Sequence, residues 1–200
     1  MLGELIGERC LACGRAGAAL CLSCRAALRG CPEGPIPAGV TSVSAPWSYE
    51  GPARALVLAL KLRGLRTAAT PLVEGMVAAT RRDGLRGAAI TWVPGRRRDI
   101  RARGFDHAEL LARGLGREVG LRPCQFLRRR HAARDQTSLS ARDRALNVRG
   151  AFVAAPTPSR IILVDDLITT GATAAACAAS LRAAGCDWVE LVVACRTELH

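Results

Sequence analysis

The run Ile161-Ile162-Leu163-Val164-Asp165-Asp166-Leu167-Ile168-Thr169-Thr170-Gly171-Ala172-Thr173 concentrates more chemistry than any other part of the chain. Its apolar start predicts a buried strand that ends in two adjacent carboxylates, followed by a small-residue turn that opens a helix. Backbone N–H groups of residues 169–173 then lie at a helix N-terminus, where unpaired donors and the dipole favour an anion. Thr169, Thr170 and Thr173 add hydroxyl donors, and Gly171 allows close backbone approach. The turn carries no lysine, so it is not the P-loop of a nucleoside triphosphatase. Asp165 and Asp166 suit vicinal hydroxyls, such as those of a ribose, from which carboxylates accept hydrogen bonds. The plainer alternative is a capped helix after a buried strand, with both acids solvated. Two adjacent acids in a chain short of acids weigh against it.

A second constellation is made of thiols. Cys10, Cys13, Cys21 and Cys24 form two C-x2-C knuckles separated by seven residues, with Gly14 and Gly17 available for the turn. Two knuckles supply the four thiolates of a closed tetrahedral zinc site, which is a folding staple and not a catalytic centre. A pair of disulfides is the competing reading and requires an oxidising compartment. The first residues lack the basic patch and apolar run of an export signal. Cys31 lies just beyond, and its place in or outside the zinc site is open. Cys124, Cys177, Cys186 and Cys195 sit among apolar residues and read as small core side chains.

The chain of 200 residues carries 29 basic and 17 acidic side chains, a formal charge of +12, and Lys61 is its one lysine. GC-rich codon usage explains arginine in place of lysine but not the excess itself. Fifteen arginines against six acids fall between Pro94 and Gly150, so the excess has an address and suits an anionic partner. Half of the residues are hydrophobic, which excludes a disordered chain. No run reaches the roughly 18 apolar residues of a membrane span, and a soluble, cytoplasmic protein is expected.

These residues need a frame. Pro32-Glu33-Gly34-Pro35-Ile36-Pro37 cannot be helix or central strand and marks a boundary, giving a zinc module over 1–37 and a larger domain over 38–200. Strands are expected at 40–48, 88–93, near 124–127, 160–164 and 188–194. Helices are expected at 52–62, 67–82, 105–119 and 172–184. Such alternation predicts an α/β fold with a mainly parallel sheet flanked by helices, whose ligands bind at the carboxyl ends of the strands. Residues 128–149 are charged and aperiodic and read as a long functional loop.

The 161–173 segment resembles the phosphoribosyl-diphosphate (PRPP) motif of type I phosphoribosyltransferases. Trp92-Val93-Pro94-Gly95-Arg96 and Arg103-Gly104-Phe105-Asp106-His107-Ala108 resemble the V-P…R-G-F-N-Q-A signature of ComF (GntX-like) proteins. Gln136, Leu139, Arg144, Asn147 and Gly150-Ala151-Phe152 resemble that family's second signature, and the four cysteines and the Lys61-x2-Gly64 element complete the order.

The resemblance implies the type I phosphoribosyltransferase fold. It places the ribose hydroxyls on Asp165 and Asp166 and the 5′-phosphate on Thr169, Thr170, Gly171, Ala172 and Thr173. It also implies Mg²⁺ with the diphosphate, a diphosphate loop at 94–98 whose charge comes from Arg96, Arg97 and Arg98, catalytic roles for Asp165, Asp166 and Arg96, and a lid carrying Arg134, Gln136 and Arg144. Thr169 stands where purine-salvage members have an aspartate, which argues against that subclass. Asp106 and His107 replace the usual Asn and Gln, and Leu62 and Leu65 replace a Tyr and an Asp around the lysine. Two functions are compatible with this. One is a PRPP-dependent transferase with an unidentified acceptor. The other is a non-catalytic DNA-uptake (competence) protein that binds single-stranded DNA and a helicase partner. The low aromatic content, 4%, weighs against the second, because single-strand binders stack bases on rings.

Overall fold

The computed structural model describes residues 9–80, 85–130 and 150–198. Its centre is a five-stranded parallel sheet: β1 (Ser42–Ser44), β2 (Trp47–Ser48), β3 (Ala89–Trp92), β6 (Arg160–Ile168) and β7 (Trp188–Arg196). β7 lies between β6 on one side and the short β1 and β2 on the other, and β3 pairs with the far side of β6. Two further strands, β4 (Leu127–Arg129) and β5 (Phe152–Ala154), form a separate antiparallel ribbon.

The helices are α1 (Leu22–Ala26), α2 (Gly51–Lys61), α3 (Ala69–Ala79), α4 (Arg97–Arg103), α5 (His107–Val119) and α6 (Ala172–Ala183). Both faces of the sheet are covered, which is why β6 and β7 are near-continuous apolar runs. On one face, Ile162 and Val164 pack with Leu56, Leu60, Leu72, Met76, Leu111 and Leu115 of α2, α3 and α5. On the other, Ile161 and Leu163 pack with Cys177, Ala178 and Leu181 of α6 and with Leu127 and Phe152 of the ribbon. The period of two along β6 therefore assigns even positions to the α2/α5 side and odd positions to the α6 side.

Four expected elements are moved. The strand expected over 40–48 is divided in two, with Pro46 between the pieces. β6 does not stop at Val164 but runs on to Ile168, so Asp165 and Asp166 lie within the strand. The expected 94–98 loop is shorter, because Arg97 begins α4 and Arg96 is its N-cap. The strand expected near 124–127 forms three residues later, as β4. The lid residues Arg134, Gln136 and Arg144 lie outside the described residues.

The N-terminal cysteines are not set apart from this body. Cys10 and Leu20 are buried in the same core as α2, α3 and α5, and Arg25 pairs with Glu74 of α3 at 2.8 Å. Gly30 bridges to Trp47 of β2. Among the described residues no helix is long and apolar enough to cross a membrane.

Candidate functional site

At the carboxyl half of β6, beside β7, a cleft of about 230 Å³ is lined by Lys61, Asp165, Asp166, Leu191, Val193 and the whole 169–173 turn. Gly171 is buried with φ +75, the left-handed region, and a Cβ on it would sit 2.7 Å from Pro37 Cγ. Glycine is thus required there by both conformation and space. Thr170 Oγ1 accepts a long bond from Ala172 N–H at 3.4 Å, tying the turn to the start of α6. Thr169 and Thr170 are exposed, whereas Thr173 is half-buried.

Strand alternation separates the two aspartates. Asp166, at an even position, is 1% exposed and faces α2 and α5. Lys61, the last residue of α2, places Nζ 3.2 Å from each of its carboxylate oxygens. His107, the first residue of α5, places Nε2 3.5 Å from Oδ1. Burial raises the proton affinity of Asp166, but the His107 contact and the charges of His107 and Lys61 outweigh it and hold the group at about 2. Asp165, half-buried on the α6 side, has no such cation in contact among the described residues, and its Oδ1 accepts from the Asp166 N–H at 2.9 Å. Desolvation and the adjacent Asp166 charge push it up, to about 7. One carboxylate is locked ionised and its neighbour takes up protons easily.

Asp106 ties the turn after β3 to the start of α5. Its Oδ1 accepts from Ala108 N–H at 3.1 Å, capping α5, while Oδ2 accepts from Gly95 N–H at 2.8 Å, fixing the turn after β3. Arg96 is exposed beside that turn. Arg129 of β4 reaches the same place: Nε donates to Pro94 O at 3.3 Å and the guanidinium lies 4.6 Å from the Phe152 ring centre. Burial and the charge of Arg96 depress the Arg129 pKa, against the pull of Asp165 and Asp106.

The structure therefore brings together Asp165, Asp166 and residues 169–173, and it sets Arg96 near Arg129 beside the turn after β3. Sequence reasoning missed Arg129 and Arg103. The signal for Lys61 was its survival as the one lysine among arginines. A larger groove of about 1100 Å³ between α6 and the ribbon is rich in alanine and, among the described residues, is lined by no carboxylate or histidine.

The four N-terminal thiols form a second, separate site. All their Sγ atoms lie within 4.8 Å of one another, and Cys13 and Cys21 are 3.7 Å apart. Four sulfurs at about 2.3 Å from a central zinc would be about 3.8 Å apart along each tetrahedral edge. A disulfide would bring two sulfurs to about 2 Å, and all nine cysteines are free. The Cys21 N–H points at Cys10 Sγ at 3.5 Å, the kind of contact that supports a thiolate. The donor set fits a closed zinc site. Cys31 is outside it and donates to Pro32 O at 3.2 Å.

Comparison with known proteins decides the family. The DNA utilization protein YhgH of Salmonella typhi is 31% identical over 205 residues, covering 89% of this chain and 90% of that protein. The chain belongs to the YhgH family. The YhgH protein of Escherichia coli strain CFT073 is 37% identical over 98 residues, a match spanning 48% of this chain and 43% of that protein. An adenine phosphoribosyltransferase of Parafrankia sp. strain EAN1pec is 35% identical over 133 residues, covering 62% of this chain and 64% of that enzyme. No protein-family model matches the chain. A solved structure described as the allosteric regulatory enzyme of purine biosynthesis aligns over 62% of the chain with a TM-score of 0.42 and 22% identity, covering 25% of that chain. That likeness is too low to argue from, so the α/β assignment rests on the strand order above. In this YhgH-family chain the name reaches the family and not the GntX-like subgroup.

Proposed function

We propose that the cleft binds PRPP with Mg²⁺ and that the chain is a phosphoribosyltransferase-like protein, transferring the phosphoribosyl group to an acceptor still to be identified. The observation that carries this is the meeting, in one cleft, of two adjacent strand carboxylates and a threonine-rich helix N-terminus. The first suits the ribose diol and the second the 5′-phosphate. The identity with an adenine phosphoribosyltransferase supports the same reading.

The residues divide the work. Lys61 and His107 keep Asp166 ionised, so it remains an acceptor for a ribose hydroxyl at any ordinary pH. Asp165, protonated more readily, takes the neighbouring hydroxyl. Thr169, Thr170 and Thr173 with the turn N–H groups hold the phosphate. Arg96 and Arg129 place guanidinium charge beside the turn after β3, where a departing diphosphate gathers negative charge. Mg²⁺, brought with the substrate, would neutralise part of that charge. The zinc site stays a staple, and the four-cysteine segment 1–37 is proposed as a structural module.

Calorimetry tests this directly. Wild type is expected to release binding heat with PRPP and Mg²⁺, and the Asp165→Asn/Asp166→Asn double variant to lose it. Equal affinity in both overturns the assignment.

The naming of the YhgH relatives as DNA utilization proteins favours a second reading, a DNA-uptake role with single-stranded DNA and a helicase as partners. Arg97, Arg98, Arg101, Arg128 and Arg130 are exposed and could meet phosphates. Phosphate contacts make affinity fall steeply with salt. Single-strand affinity that stays level from low to moderate salt would exclude this reading.

A further inference from the structure

We infer that His107 is a positioning residue: a neutral imidazole relay between Arg103 and Asp166 whose protonation opens its link to Arg103 of α4 and so loosens the hold on the ribose-binding carboxylate. This rests on the proposed PRPP site for its binding readout, but its geometry stands apart from that proposal.

The ring is 8% exposed, so its two nitrogens must find partners within the protein. Arg103 NH2 lies 3.2 Å from Nδ1. A guanidinium only donates, so Nδ1 must present its lone pair. The proton of a neutral ring is then on Nε2, which faces Asp166 Oδ1 at 3.5 Å, a longer contact. Arg103 also donates through NH1 to the carbonyl of Lys61 at 3.1 Å. Lys61 in turn holds Asp166. Arg103, His107, Asp166 and Lys61 form a closed ring of contacts that joins α4, α5, β6 and α2.

A second proton changes one link. Nδ1–H would point at a donor that is itself cationic, and the Arg103 contact must open. The charged groups facing the ring are Lys61 from α2, Arg103 from α4, Asp106 at the head of α5, with Nδ1 3.9 Å from its Oδ1, and Asp165 and Asp166 from β6. Burial and Lys61 resist protonation, while the two β6 carboxylates favour it and raise the pKa above its ordinary value.

Glutamine offers one donor and one acceptor and cannot take the extra proton. The test compares wild type, His107→Gln and His107→Leu by PRPP–Mg²⁺ calorimetry from about pH 8 to about pH 5.5. Differences from His107→Gln cancel the ligand's own ionisation. At the upper pH, His107→Gln is expected to stay nearer wild type than His107→Leu, which should bind about tenfold more weakly than wild type, the scale of a lost buried hydrogen bond. As pH falls, wild type should weaken relative to His107→Gln. Parallel profiles for the two, or full affinity in His107→Leu, overturn the relay. Side-chain nitrogen NMR on the ligand-free protein tests the geometry by itself. An Nε2–H tautomer at high pH supports it, and an Nδ1–H tautomer sinks it. Absence of PRPP heat in all three proteins, with the Nε2–H tautomer present, defeats the PRPP reading and leaves the relay intact.

Discussion

At the residue scale, the paired aspartates impose opposite pH dependences on stability. Asp166 is held at about 2, below the ordinary carboxylate value of roughly 3.9. Its contribution is complete above that value and is lost as pH falls through the folded-state pKa. Asp165, raised to about 7, binds its proton more tightly in the folded chain. Stability is therefore lost as pH rises through that range. Its partial exposure moderates the effect. Asp165→Asn should raise the melting temperature at about pH 8, where it removes a repelled charge, and leave it nearly unchanged at about pH 4. Asp166→Asn should lower it at neutral pH by stranding the Lys61 cation. Thermal scans at both pH values decide this, and an equal shift for Asp165→Asn at the two would contradict the assigned repulsion. A site that loses stability to keep two carboxylates adjacent is what ligand binding, and not packing, would retain.

At the element scale, Asp106 links two parts that the sequence treats separately. It caps α5 and anchors Gly95 after β3. Asp106→Ala should cost about 1–2 kcal/mol, the range of a lost N-cap, and also loosen the turn carrying Arg96. Asp106→Asn keeps an acceptor oxygen for the cap and should cost less; equal losses in a denaturant titration would mean that charge matters more than the cap. Elements with strong apolar patterns were legible in the sequence: β3, β6 and β7 as buried runs, α2 and α5 as periodic helices. α4 was not, because Arg97–Arg103 contains only Ile100 and Ala102 as apolar residues and buries no side chain fully. The extension of β6 was hidden by its carboxylates, which look like a strand end until the sheet gives Asp165 and Leu167 partners in β7. The threonine turn and the carboxylates were readable as neighbours in sequence. The Lys61 and Asp166 contact spans 105 positions, and no local pattern announces such a pair.

At the scale of the whole molecule, the four-cysteine segment belongs to the main core. Cys10 is 2% exposed and packs in the cluster that contains Leu56, Leu72 and Leu111. Beyond the cysteines, Arg196 at the end of β7 donates to Gly34 O and Pro35 O at 3.1 and 3.2 Å, so the central sheet itself holds the connecting segment. Pro37 from that segment packs against Gly171 of the 169–173 turn. A zinc ion among the four sulfurs would therefore brace one wall of the cleft as well as its own knuckles. Chelation, confirmed by assay of released metal, should lower the melting temperature of one cooperative transition by on the order of 10 °C, as a loss of several kcal/mol does in a domain of this size. Cys13→Ser, at an exposed ligand position, should give the same drop and abolish the response to chelator. Two transitions, with the upper one unmoved after the metal has left, would mean that the cysteine segment melts alone. In that case the contacts from Arg25 to Glu74 and from Arg196 to Gly34 would contribute little to joining it to the sheet.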